Sequence, residues 1–134
     1  MMPRTENYGV VLTQYAESIR DKPFKWGETD CGTIAREVLR IVYGLEPKIS
    51  TYKSQRKAIK TYEAEIGSYL TYFNSLGFEP VAPMLANNGS VIVVEDKIDR
   101  FGVIVSGHIL TSEIDGKVTM YPLDRKNISG VVLR

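Results

Sequence analysis

One cysteine, one histidine and one tryptophan are the scarce chemistry-bearing side chains in this chain of 134 residues. Two of them share one stretch, Phe24-Lys25-Trp26-Gly27-Glu28-Thr29-Asp30-Cys31. Polar, turn-compatible residues stand just ahead of Cys31, and an apolar-periodic run follows through Ile34, Val38, Leu39, Ile41 and Val42. That is a helix-start pattern, with Thr29 or Asp30 as the cap. Cys31 then falls in the first turn, where unpaired amides and the positive end of the helix favour a thiolate. The small Gly32 and Thr33 leave room beside the sulphur. The chemistry implied is attack by that thiolate on a carbonyl carbon. The alternative is that Cys31 only fills space, as buried free cysteines do.

A nucleophile needs a base, and His108 is the one side chain whose ordinary pKa lies near neutrality. A Cys–His pair must be adjacent in space, not at fixed spacing. His108 follows the turn Ser106-Gly107, which puts it near the end of a strand, and Ser112, Glu113 and Asp30 are the polar residues placed to orient it. Trp26 either lines a cleft beside the cysteine or closes the core over helix ends. Asp30 is an N-cap, a cleft residue, or both. No cofactor is expected, and one Cys with one His gives a four-ligand zinc site little to draw on.

The elements that must position these residues follow from periodicity. Val10, Val11, Tyr15 and Ile19 make a helical stripe ended by Pro23, after a polar tail from Met1 to Glu6. The second helix runs from about Cys31 to Tyr43, with Gly44 as its C-cap and Pro47 beyond it. The segment from Ile49 to Lys60, with Lys53, Arg56, Lys57 and Lys60, suggests a short basic helix, either solvated or facing an acidic partner. Ile66, Leu70 and Phe73 share one face of a third main helix, from Tyr62 to Leu76. Phe78 to Val81 is a short extended return. The pattern then changes to strands: Val91 to Val94, Phe101 to Val105, His108 to Ser112, Val118 to Tyr121 across a hairpin turn at Asp115-Gly116, and Ile128 to Leu133. Helices followed by closely spaced strands predict an α+β domain spanning residues 1–134, with N-terminal helices packed on a C-terminal antiparallel sheet. Eight tyrosines, among them Tyr43, Tyr52, Tyr62, Tyr69 and Tyr72 spanning the helical half, hint at a partner protein.

Seventeen basic and sixteen acidic residues leave a formal charge of +1, so no bulk electrostatic case exists for nucleic acid or a membrane surface. A lone cysteine rules out an internal disulfide. The N-terminus lacks an apolar run of signal-peptide length and no transmembrane stretch is visible, which predicts a soluble protein.

Taken in order, these segments resemble the small phage-associated branch of the NlpC/P60 superfamily of papain-like cysteine peptidases. Trp26-Gly27 ahead of Asp30-Cys31 is similar to that branch's nucleophile segment. Leu76-Gly77-Phe78-Glu79-Pro80-Val81 is similar to its return before the sheet. Gly89-Ser90-Val91-Ile92-Val93-Val94, Phe101-Gly102-Val103-Ile104-Val105 and the closing Gly116-Lys117-Val118 with Tyr121-Pro122-Leu123 are similar to its strands. The resemblance implies a papain-like fold and a phage tail-associated peptidase or amidase acting on bacterial cell-wall peptides. Cys31 would be the nucleophile, His108 a base reaching it from the neighbouring strand, and tail proteins the partners. It also implies a place in the virion tail, after assembly from the host cytoplasm. The chain departs from the family pattern where a histidine is expected before Phe101-Gly102-Val103. Arg100 stands there, and a guanidinium cannot act as a general base. Arg100 is instead a candidate contact for a thiolate or another anion. The departure opens a second expectation, a catalytically inactive fold serving as a structural or adaptor component of the tail.

Overall fold

The computed structural model describes residues 2–134 and has the expected α+β architecture, with helices first and an antiparallel sheet after them. Helix α1 spans Tyr8–Ile19 and α2 spans Cys31–Tyr43. Helix α3, Gln55–Thr61, runs into a π-helical turn at Tyr62–Ile66, and α4 covers Tyr69–Ser75. The strands are β1 (Pro80–Val81), β2 (Val91–Val94), β3 (Arg100–Val105), β4 (His108–Ser112), β5 (Val118–Pro122) and β6 (Val131–Leu133). They form one sheet in the order β1-β6-β2-β3-β4-β5, with every neighbouring pair antiparallel.

Strand alternation sets the layers. Phe101, Val103 and Val105 of β3 point into the main core with Val91, Val93 and Leu110, against Ile34, Val38, Leu39 and Val42 of α2. Each such aliphatic side chain, taken fully out of water, contributes about 1.5–3 kcal/mol. The opposite parity, Ile92, Ile104, Ile109 and Val132, makes a smaller apolar layer covered by Ala86, Leu123 and Ile128. The sheet is therefore apolar on both faces, which is why β2 and β3 read as continuous hydrophobic runs.

Two expectations need correction. The helix predicted from Tyr62 to Leu76 is broken. Gly67 takes φ +80°, its amide closes on the Tyr62 carbonyl at 2.6 Å, and Ser68 starts a new helix by accepting from the Thr71 amide. Ile66, Tyr69 and Phe73 still reach the buried side, because the π-turn resets the phase between the two pieces. The predicted polar tail is also tied down. Thr5 donates its amide to Val42 O at 2.8 Å and its hydroxyl to Ile41 O at 2.7 Å, and Met2 packs on the core. Met1 lies outside the described residues.

The hairpins decide which ends of strands meet. Ser106 (φ +48°) and Gly107 (φ +77°) form the β3–β4 turn at one end of the sheet. Residues 95–99 and 113–117, the β2–β3 and β4–β5 turns, lie at the other. The N-terminus of α2 is at that second end.

Candidate functional site

The loop into α2 is locked before the cysteine arrives. Thr29 donates its hydroxyl to Pro23 O at 2.8 Å and accepts from the Lys25 amide at 2.8 Å. Gly27 sits at φ +81° with its α-carbon against the Tyr52 carbonyl, so a side chain there has neither the conformation nor the space. Asp30 is the cap, as one of the two sequence alternatives had it. Oδ1 accepts from the Gly27 amide at 2.8 Å and the Thr33 hydroxyl at 2.6 Å. Oδ2 accepts from the Gly32 amide at 3.1 Å, the Thr33 amide at 3.3 Å and the Tyr52 hydroxyl. With 1 % of its surface exposed, Asp30 is a buried carboxylate saturated with donors.

Behind it stands a row of phenols. The Tyr52 hydroxyl donates to the Asp30 carboxylate, and beyond it the hydroxyls of Tyr62 and Tyr69 are hydrogen-bonded to one another. Because Asp30 only accepts, the Tyr52 hydroxyl is the donor in that pair. Burial pushes all three phenols above their ordinary value. The room expected beside the sulphur is therefore filled. A Cβ on Gly32 would strike the Tyr52 hydroxyl and come within 2.5 Å of that of Tyr62. Three of the tyrosines that hinted at a partner are committed to the interior: Tyr52 and Tyr69 are buried and Tyr43 donates to Gly89 O.

Cys31 itself sits between β3 and β4. Its Sγ lies 3.4 Å from Ser112 O and 3.7 Å from Phe101 O, and Phe101 O also accepts from the Thr111 hydroxyl at 2.8 Å. Two carbonyl oxygens receive an S–H but repel a thiolate. Part of the residue reaches a cleft, yet crowding around the sulphur dominates, and burial pushes the thiol above its ordinary value. This overturns the expectation of an acidified cysteine: desolvation outweighs the favourable helix end. Alkylation of native Cys31 by iodoacetamide is accordingly expected to be at least about tenfold slower at pH 7.5 than that of a free thiol, rising only above the free-thiol midpoint of about 8.5. A rate–pH profile with its midpoint at or below that value would contradict the geometry.

The structure does not bring His108 to Cys31. His108 pairs with Val105 beside the β3–β4 turn, and its Nδ1 lies 3.1 Å from Ser106 O. Cys31 contacts Ser112, four residues further along β4, or about 13 Å away at 3.3 Å per residue. Ser112, Glu113 and Asp30, the expected orienting partners, are at the cysteine's end. Arg100 begins β3, pairs with Val94, and extends its exposed side chain on the sheet face opposite Cys31, where its charge bears on Tyr121. Trp26 packs edge-on against Phe24, with ring centroids 4.8 Å apart, and more loosely against Tyr52 at 6.4 Å. It both closes the loop and lines the cleft.

That cleft has a volume of about 630 Å³ and runs from Cys31 around the turn end of the sheet. Phe24, Trp26, Tyr62, Asp99, Arg100 and Ile114 are among its lining residues. Sequence reasoning missed Tyr62 and Asp99. Asp99 accepts from the Tyr69 amide at 2.7 Å and so fixes the start of α4 against the β2–β3 turn. A faint signal existed for Tyr62, which stands seven positions before Tyr69, but it gains meaning only once the π-turn folds one ring onto the other. Among the described residues no group of three or more His, Cys, Asp or Glu side chains is arranged to hold a metal ion, and no helix is long and apolar enough to cross a membrane.

The chain belongs to the family described as a domain of unknown function (DUF6950), whose profile matches residues 3–128. No curated protein and no solved structure matches it.

Proposed function

We propose that this protein is a non-hydrolytic relative of the NlpC/P60 papain-like peptidases that serves as a structural or adaptor component of a bacteriophage tail, with the Cys31 cleft as a docking groove for a partner segment. One observation carries the reading: the Cys31 thiol faces two main-chain carbonyls, and the only imidazole in the chain lies at the far end of β4. A hydrolase of this type needs a group that takes the thiol proton and returns it to the leaving amine. The resemblance puts Arg100 at the position of that group, and a guanidinium holds its proton throughout the accessible pH range. Placement in the virion tail, with tail proteins as partners, rests on the sequence resemblance.

The competing reading, a cysteine peptidase or amidase acting on cell-wall peptides, has one observation in its favour: Cys31 stands at a helix N-terminus and lines an open cleft. A single comparison separates the two. Wild type, Cys31→Ala and His108→Ala are incubated with peptidoglycan fragments and released amines are measured. We expect no release from any of the three, and tail assembly that proceeds with the Cys31→Ala protein. Release by wild type that disappears in Cys31→Ala would establish the hydrolase and overturn the adaptor.

A further inference from the structure

The cleft carries more acid than base. Asp30, Asp99, Glu113 and Asp124 line it, against Arg100 alone, in a chain whose formal charge is +1. Asp30 is buried and spent on its five donors, and Asp99 is engaged by the Tyr69 amide. Glu113 and Asp124 are exposed and make no ion pair among the described residues. An acidic cleft with apolar walls concentrates cations from solution.

One corner of it has the right shape as well as the right sign. The Phe24 amide donates to Gly116 O at 3.0 Å, which fastens the aromatic loop to the β4–β5 turn, where the Glu113 main-chain carbonyl accepts from the Gly116 amide at 2.9 Å. The Phe24 and Trp26 rings stand at 88° to one another beside that turn, and both are only partly buried. Two rings at a right angle, with an exposed acidic residue, Glu113, lining the same cleft, are the elements of an aromatic cation site. Of the nearby lysines, Lys25 is paired with Glu28 at 3.5 Å and Lys117 with Asp21 at 3.1 Å.

We propose that the corner formed by Phe24, Trp26 and Glu113 receives the ammonium or guanidinium group of a basic side chain on an extended partner segment lying in the cleft. This rests on the docking-groove reading above and adds the chemistry of the partner: a segment bearing Lys or Arg. Main-chain groups of that segment would run past Cys31, where Ser112 lines the same cleft and its buried hydroxyl has no partner among the described residues.

Trp26 is the only tryptophan, so its emission reports this corner directly. The probes are two capped pentapeptides, Gly-Lys-Gly-Lys-Gly and Gly-Glu-Gly-Glu-Gly, titrated into the full chain at low salt. We expect a saturable change in emission with the lysine peptide and none with the glutamate peptide. Glu113→Gln is expected to weaken binding of the lysine peptide about two- to fivefold, the range of an exposed charge pair. Phe24→Leu, which keeps the corner apolar, is expected to weaken it by a similar factor. No saturable change with the lysine peptide, an equal or tighter response to the glutamate peptide, or unaltered affinity in both variants would overturn the site. Because this readout involves no turnover, its failure leaves the non-hydrolytic reading standing. Cleavage of wall fragments would overturn that reading and leave this site intact.

Discussion

Replacing Asp30 by alanine is expected to lower folding stability by about 3–4 kcal/mol, well beyond the roughly 1 kcal/mol of an ordinary helix cap. The excess comes from burial. Five donors converge on one carboxylate: the amides of Gly27, Gly32 and Thr33 and the hydroxyls of Thr33 and Tyr52. Alanine leaves them facing a site closed to water, and each orphaned buried donor costs about 1–3 kcal/mol before relaxation. Their effects are not additive, since Thr33 and the free amides share one small space and can readjust together. Asp30→Asn keeps the volume and one accepting oxygen, and is expected to fall between alanine and wild type. Urea unfolding gives the comparison directly, provided the slope is unchanged. A loss of less than about 1 kcal/mol for Asp30→Ala would mean that the loop, the cap and the phenol row are not one unit.

That unit marks the boundary of what the sequence discloses. The start of α2 at Cys31, its stop at Gly44 and the strands at Val91–Val94 and His108–Ser112 were legible because each follows from a local signal: a capping residue, a glycine in the left-handed region (φ +66°), or an apolar run between turns. The α+β order followed from the same signals. The break at Gly67 was hidden because Ile66, Leu70 and Phe73 keep a helical spacing that a π-turn can carry across two helices. The state of Cys31 was hidden for a different reason. A helix N-terminus is a local feature and favours a thiolate, whereas the carbonyls of Phe101 and Ser112 arrive from residues 70 and 81 positions away. Long-range desolvation decides the outcome, and no spacing in the chain encodes it. His108 failed as a partner through register. Pairing His108 with Val105 fixes the turn at Ser106-Gly107, and that puts the imidazole at the opposite end of the sheet from the loop that carries Cys31.

Phe101→Ala is expected to be the most costly core substitution near the cleft, at about 3–5 kcal/mol. Phe101 is 1 % exposed and lies parallel to Phe73, with centroids 5.8 Å apart and 8° between planes, and Tyr69 approaches it at 5.9 Å. This ring pile holds α4 onto β3 and so supports the tyrosine row from below. Truncation removes the ring and leaves a cavity that Phe73 and Tyr69 can fill only by leaving their own contacts, which is why the expected loss exceeds that of transfer alone. It also has a chemical signature. The Phe101 carbonyl is one of the two acceptors facing Cys31, so loosening this strand end should let water reach the sulphur. Alkylation of Cys31 in the folded variant should then be faster than in wild type at the same pH, while Phe101→Leu, which retains most of the volume, should lose less than about 1.5 kcal/mol and keep the thiol slow. A stable Phe101→Ala protein, or one that loses stability with no change in thiol reactivity, would separate the core from the cleft and remove the packing argument for why Cys31 stays protonated.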